Sequence, residues 1–280
     1  MSVAVMFHVG NSIPVAEILR DINNLRLAQV KHDLFVNLVE GKVDVKAMTA
    51  LIKLNYPSAV IVVSENRGMD IGGFFKLLPL VLKGSYTYIL KLHTKSMISW
   101  RRSLIIPLCG SVYHVQHSMR TLAGFPTIGM LGATGHLYRE LPLRKPNFYY
   151  LQRLTKEFKI PYPRPFHFIG GTMFYVRVSV IEKAFDGLDL QVLWAGMNTP
   201  QTLDKYWYLI NYRDKGVTTV EQAEVHFLTH GKKAGRFHNC LDAREKGSMR
   251  YIPDGMIEHA YERLFGLIVE NGGMTIQGVY

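Results

Sequence analysis

Acidic residues are scarce in this 280-residue chain: 22 Asp and Glu stand against 33 Lys and Arg, a formal net charge of +11. Such a surplus favours anionic partners, whether nucleotide phosphates, nucleic acid or an acidic membrane surface. Long Lys/Arg blocks, a recognition-helix pattern and zinc-finger spacing are all missing. Nucleic acid is therefore set aside as the main partner in favour of small phosphorylated ligands, lipid-borne ones included. Cysteine is nearly absent, and the two present, Cys109 and Cys240, make neither a disulfide framework nor a metal cluster. A reducing, cytoplasmic setting is expected from that usage. No apolar run has the length needed to span a bilayer, because basic or polar residues interrupt each candidate. The first ten residues carry no charged n-region and no small-residue cleavage site, and they read as a β-strand instead of a signal peptide.

What the chain has is enough apolar residue, 48%, to bury a full core as one large domain. Strand and helix patterns alternate along it. Strands are expected at 2–8, 33–39, 59–63, 86–92 and 128–133. Helices are expected at 13–24, with Asn11 or Ser12 as N-cap, and at 45–54, 71–82 and 102–123. This alternation argues for an α/β fold, a mostly parallel sheet sandwiched between helices. Residues 141–165 are rich in proline and tyrosine and read as a connection with a short helix near 150–158. Residues 166–176 read as one strand with paired glycines inside it, a sign of a bend or of close approach by a ligand. Residues 254–269 read as an amphipathic terminal helix.

The stretch from Ala59 to Lys95 is the most informative. Its apolar, β-branched start reads as a strand buried on both faces, followed by a polar turn, a helix, and a second strand that delivers His93, Thr94 and Lys95 at its C-terminal end. In open α/β sheets ligands bind outside the carboxyl ends of the strands. Glu65, Asn66, Arg67 and Asp70 from one strand end and His93, Thr94 and Lys95 from the next thus address one crevice.

Four motifs in order resemble the rhamnan synthesis protein F family: Ser64-Glu-Asn-Arg-Gly-Met-Asp-Ile-Gly72, Tyr88-Ile-Leu-Lys-Leu-His-Thr-Lys95, Gly171-Thr-Met-Phe-Tyr-Val-Arg177 and Asp254-Gly-Met-Ile-Glu-His-Ala-Tyr-Glu-Arg-Leu-Phe265. They span nearly the whole chain. The resemblance implies a GT-A-like (Rossmann-like) glycosyltransferase that builds polysaccharide, using a nucleotide-diphosphate sugar such as a rhamnose or other hexose donor and a glycan or lipid-linked glycan acceptor. In the GT-A fold a later strand ends in an Asp-x-Asp that holds a divalent metal; here the matching strand ends in Lys-Leu-His-Thr-Lys. Without those carboxylates, cationic side chains must neutralise the leaving diphosphate. His93 and Lys95, helped by Arg101 or Arg102, are the expected substitutes, and metal-independent transfer with no cofactor beyond the donor is the expectation.

Each assignment has a plain structural counterpart. Gly10 and Asn11 either line the nucleotide base or ribose, or simply cap a helix. Asp70 or Asn66 bonds donor hydroxyls while Arg67 meets a phosphate; otherwise Asp70 caps the next helix and Glu65 pairs with Arg67. Gly170, Gly171 and Thr172 form a pocket floor or a packing bend. An inverting transferase needs a carboxylate to take the acceptor's proton; Asp254 is the expected base, with Glu258 or Glu262 behind it. The alternative is helix capping plus a Glu262–Arg263 pair. Thr94, His259 and Arg263 complete the expected donor contacts. His226 and His230 have ligand spacing but no third partner, so zinc is not expected. Residues 204–239 resemble a short helical module found beside bacterial glycan enzymes and read as an inserted helical appendage. Two rivals remain. A nucleotidylyltransferase wants a basic Gly-rich loop after the first strand, which Val9-Gly-Asn-Ser-Ile-Pro14 lacks; a non-catalytic glycan- or phosphate-binding protein would explain the missing Asp-x-Asp. Peripheral contact with a membrane is compatible with the charge.

Overall fold

Apolar β-branched runs separated by amphipathic helices produce the layering in this chain. The computed structural model describes residues 1–141, 147–212, 216–246 and 255–280. The first part runs through β1 (Ser2–Val9), α1 (Val15–Leu27), β2 (Lys31–Val39), α2 (Val45–Asn55), β3 (Val60–Ser64), α3 (Met69–Val81) and β4 (Tyr88–His93). Then come α4 (Ile98–Cys109), α5 (Val112–Gly124), β5 (Ile128–Ala133), β6 (Leu137–Glu140), α6 (Phe148–Glu157), β7 (Phe166–Ile169) and β8 (Phe174–Arg177). The remainder is α7 (Val178–Phe185), α8 (Leu190–Ala195), α9 (Lys205–Tyr212), α10 (Val220–His226), α11 (Cys240–Glu245), α12 (Ile257–Asn271) and β9 (Thr275–Val279).

Seven strands form one sheet in the order β3-β2-β1-β4-β8-β5-β9. β1 pairs in parallel with both β2 and β4, β2 with β3 and β5 with β9, while β8 runs antiparallel between β4 and β5. A second, two-stranded sheet joins β6 to β7. One face of the large sheet packs α3, α6, α7 and α12 through Phe74, Phe75, Tyr261, Phe265 and their neighbours; the other packs α1, α4 and α5 through Ile18, Ile22, Leu104 and Val115. This is the expected α/β sandwich with a mostly parallel sheet. α12 lies close on β7 because residue 266 is glycine: a Cβ there would collide with the His167 carbonyl.

Several local expectations are corrected. β3 is an edge strand, and Val60 and Val63 are 41% and 46% exposed; β2 covers one side of it, and among the described residues no strand pairs with the other. The expected helix 102–123 is two helices. The break falls at Gly110 and Ser111, where Ser111 turns extended and its hydroxyl caps α5 through the His114 amide. The expected strand 166–176 is likewise two strands in different sheets, parted by a turn in which Gly171 and Thr172 have φ of +82° and +53°. α1 begins after Pro14, so neither Asn11 nor Ser12 is its N-cap; the Asn11 side chain instead accepts from the Ile13 amide at 3.0 Å. The terminal helix starts at Ile257, and β9 beyond it was not foreseen.

Within the segment expected as an appendage, Trp207, Tyr208, Tyr212, Ala223 and Phe227 form a third apolar cluster, against which Met69 of α3 also packs. That cluster reaches past the expected limit at 239 to Leu241, Ala243 and Met256.

Candidate functional site: a two-lobed cleft at the strand ends

From β1 the sheet grows outward to β2 and β3, then the chain returns to place β4 on the other side of β1. Such a reversal opens a crevice at the strands' carboxyl ends, the usual ligand position in open α/β sheets. The two strand ends are stitched together there: the Thr94 amide donates to the His8 carbonyl and the Gly10 amide donates to Thr94 Oγ1, both at 3.0 Å. A wide lobe of about 630 Å³ opens above them, walled by Gly10, Asn11, Asn66, His93 and Thr94. A narrower lobe of about 440 Å³ continues towards α12, walled by Gly170, Gly171, Thr172, Glu262 and Arg263. Met69, Asp70, Lys95 and Trp100 line both lobes and form the waist between them.

At the waist the backbone is strained. Gly68 and Met69 lead into α3 with φ of +67° and +51°. Left-handed backbone is uncommon outside glycine, and in a β-branched residue such as Thr172 it is an outlier that surrounding structure must enforce. Met69 and Thr172 both flank Asp70. The Thr172 hydroxyl donates to Asp70 Oδ2, and Lys91 Nζ reaches the same oxygen at 2.5 Å. Lys91 also donates to the Thr172 carbonyl at 3.1 Å, and only 2% of its side chain is exposed. Burial alone would raise the Asp70 carboxyl; the Lys91 and Lys95 charges and the Lys91 hydrogen bond outweigh it and hold the group well below the carboxylate range. Asp70 is therefore an anion on the cleft wall, in the first turn of α3, not its N-cap. Lys95 lies 3.7 Å from the Trp100 ring centroid, a cation held on an aromatic face.

Two histidines floor the wide lobe. Burial pushes the His93 imidazole down to about 3 and His8 down to about 4, so both are neutral near pH 7. His93 Nε2 lies 2.7 Å from the Gly171 carbonyl and Nδ1 3.2 Å from the Thr94 carbonyl; carbonyls only accept, and the shorter contact assigns the single proton of the neutral ring to Nε2. By the same logic His8 donates from Nδ1 to Asn37 Oδ1 at 2.8 Å, and Asn37 in turn donates to Ser64 Oγ at 2.8 Å. His93 is thus a neutral brace between β4 and the Gly-Gly-Thr turn, where a cation was expected. The glycines of the Ile71-Gly72-Gly73 run serve packing: a Cβ on Gly73 would strike His8 and Asn37, and one on Gly72 would strike the Arg67 carbonyl.

In the narrow lobe α12 presents a row of ionisable side chains. Glu262 accepts from the Gly171 amide at 2.5 Å and from Arg263 at 2.9 Å, which pins the strained turn and contains the expected Glu262–Arg263 pair. Arg263 lies over the Phe168 ring at 4.9 Å and 3.4 Å from Glu140. Glu258 is 1% exposed, lines the lobe, and accepts from the Asn198 amide at 2.7 Å and its side chain at 3.2 Å. Burial pushes its carboxyl up to about 7 against those bonds. His259 lines the same lobe.

Three expected residues stand outside the lobes. Arg67 donates to Glu65 at 2.7 Å and to the Ala195 and Met197 carbonyls at 3.0 Å each, facing α8 instead of the cleft. Glu65 is spent on that pair. Arg101 is buried, bonded to Glu17 and to the Lys95 carbonyl at 2.7 Å each, so it supports the Lys95 loop from behind. Asp254, the expected base, lies outside the described residues. Sequence reasoning passed over Lys91, His8, Trp100, His136 and Glu140. For Lys91 a signal was present: a lone lysine inside an apolar strand must be paired or functional.

Among the described residues no group of three or more His, Cys, Asp or Glu is arranged to hold a metal ion, and no helix is long and apolar enough to cross a membrane. His226 and His230 stack with ring centroids 5.3 Å apart, and His226 Nδ1 sits 3.1 Å from the Tyr208 hydroxyl. No protein-family model and no curated protein matches the chain.

Proposed function

We propose that the chain is a GT-A-like glycosyltransferase that moves a sugar, such as rhamnose or another hexose, from a nucleotide-diphosphate donor to a glycan. One observation carries this reading: the two lobes at the β1–β4 reversal meet at a waist where Lys95, Trp100 and Asp70 are fixed side by side. A nucleotide-diphosphate sugar has the same three parts. The nucleoside takes the wide lobe beside Gly10, Asn11 and Asn66; the diphosphate lies at the waist against Lys95 and the Thr94 loop; the sugar enters the narrow lobe. Both lobes fall in the size range of small-molecule sites.

Asp70, held ionised and immobile, accepts hydrogen bonds from sugar hydroxyls and faces the positive charge that develops on the anomeric carbon during displacement. Lys95 faces the negative charge that develops on the departing diphosphate. Asp254 is kept from the sequence as a candidate base; within the narrow lobe the carboxyl best matched to proton transfer near neutral pH is Glu258. It takes the acceptor hydroxyl's proton as that oxygen bonds to the anomeric carbon and the bond to the diphosphate oxygen breaks, with inversion. No step requires a divalent ion.

The test is release of nucleoside diphosphate from UDP-, dTDP- and GDP-linked sugars, rhamnose donors included, in EDTA. Slow donor hydrolysis without acceptor is expected, falling by about 10²-fold or more in Glu258→Gln, in the range of a lost general base. Donor binding without any release in wild type supports the non-catalytic binding protein instead.

A further inference from the structure

Single exposed apolar side chains are ordinary; a run of them along one rim marks an interaction site. Ile13 is 87% exposed, Ile98 63%, Met97 61% and Trp100 40%. All four belong to the two segments that leave β1 and β4, and these segments are fastened together. The Gly10 amide bonds Thr94, and Glu17 of α1 receives both Arg101 and Arg102 of α4 at 2.7 Å. From Trp100 the rim continues through Ser103, whose hydroxyl is 2.7 Å from His136 Nε2, to Tyr138, whose ring centroid is 6.4 Å from that of His136 and which is 47% exposed. Trp100 and Tyr138 also line the narrow lobe, so the apolar arc borders the cleft mouth.

The charges beside this arc are mostly of one sign. Lys42 and Lys95 line the wide lobe and Arg139 the narrow one, and Arg102 is 48% exposed. Acidic groups there are engaged: Glu17 is paired with Arg101 and Arg102, Asp70 with Lys91, and Glu140 is buried against Arg263. An apolar rim with a cationic border matches a bilayer surface bearing anionic headgroups, where aromatic and aliphatic side chains enter the interface and Lys and Arg stay at headgroup level. A second copy of the chain is a poor occupant, since each carries the same +11 charge.

We propose that this rim docks the protein on an anionic lipid surface, with Ile13, Met97 and Ile98 entering the interface and the cleft mouth facing the membrane. Docking stands on the rim alone; that it serves a lipid-borne glycan acceptor rests on the transferase reading.

Vesicle flotation tests the docking directly. The full chain should float with phosphatidylcholine–phosphatidylglycerol vesicles, stay behind with phosphatidylcholine alone, and be released by high salt. The double variant I13S/I98S, which touches neither lobe wall, should lose about tenfold or more of the bound fraction, as expected for withdrawing two aliphatic side chains from the interface. Leu54→Ser and Leu228→Ser, exposed apolar residues elsewhere, should bind like wild type. Melting temperature checks folding, and an unchanged nucleotide-sugar shift in the double variant separates failed docking from a failed transferase reading. No flotation, equal flotation on neutral vesicles, or undiminished binding by the double variant would overturn the proposal. So would a dimer that the same substitutions dissolve.

Discussion

The wide and narrow lobes of the cleft are floored by groups of opposite chemistry that burial drives to a similar end. Beneath the wide lobe lie His8 and His93, imidazoles pushed down to about 4 and about 3; in the narrow lobe lies Glu258, a carboxyl pushed up to about 7. These three groups resist carrying charge, while formal charge sits at the waist, where Asp70 meets Lys91 and Lys95 lies on Trp100, and in the Glu262–Arg263 pair of the narrow lobe. The contrast shows how the cleft divides its work. Away from the waist the wide lobe presents the neutral Gly10, Asn11, Asn66 and Thr94 with Lys42 at its edge, whereas the narrow lobe holds a carboxyl that changes state near neutral pH.

The largest expected effect breaks the waist itself. Lys91→Met leaves Asp70, partly exposed on the cleft wall, without its buried cation and should cost about 3 kcal/mol of stability, the low end for removing one partner of a buried pair. Urea unfolding measures it, and adding Asp70→Leu should recover much of the loss. Equal destabilisation in the single and double variants would show that the pair is not the unit described here.

The next effect sharpens the contrast through pH. Unfolded, both histidines take protons near 6.5; folded, they resist until about 4 and about 3, so the unfolded chain holds more protons in between. Stability from these groups is therefore lost as pH falls below 6.5. Glu258 has the opposite sign: its folded form keeps a proton that the unfolded form releases near 4.5, so its contribution is lost as pH rises from 4.5 to 7. The shifts of His8 and Glu258 correspond to about 3 kcal/mol each across their windows and that of His93 to about 5 kcal/mol. Stability measured from pH 4 to 8 should lose part of its acid limb in His93→Gln and gain on the neutral side in Glu258→Gln. Parallel curves for the two variants would contradict the assignment.

The smallest effect concerns a residue outside both lobes. Arg67→Ala removes a partly exposed pair with Glu65, the bonds to the Ala195 and Met197 carbonyls and a contact 5.0 Å from the Trp194 ring centroid, and should cost about 1–2 kcal/mol. Nucleotide-sugar affinity should stay within about twofold, a difference under 0.5 kcal/mol. A larger loss would return Arg67 to the phosphate site that its motif suggested.

Much of the wide lobe was legible in the sequence. The apolar runs of β1, β2 and β4 set those strands within a residue or two, and the polar residues that follow them are those that line the lobe. Periodicity could not reveal that β3 is an edge, since exposure depends on which strands pair beside it. The narrow lobe was harder to read. Its Gly-Gly-Thr turn was hidden because β7 and β8 are one apolar stretch shared between two sheets. The bond between Thr172 and Asp70 joins residues 102 apart in sequence, and no local pattern carries such a contact. His93 was expected as a cation because its sequence neighbours are polar. Its burial is a tertiary fact, and it keeps the ring neutral even against the bond to Gly171, which favours the charged form. β9 was missed because Thr275-Ile-Gln-Gly-Val279 is short, mixed and glycine-bearing.

The most direct test of the central claim is a thermal-shift titration of UDP-, dTDP- and GDP-sugars in EDTA, on wild type and Lys95→Ala. A donor present at a hundred times its dissociation constant adds about 2.7 kcal/mol of stability, a readable rise in melting temperature. The account predicts a rise with one nucleotide class, unchanged by EDTA and lost in Lys95→Ala. A rise that appears only with Mn²⁺, or one that survives loss of Lys95, would contradict a diphosphate held at the waist by side-chain charge.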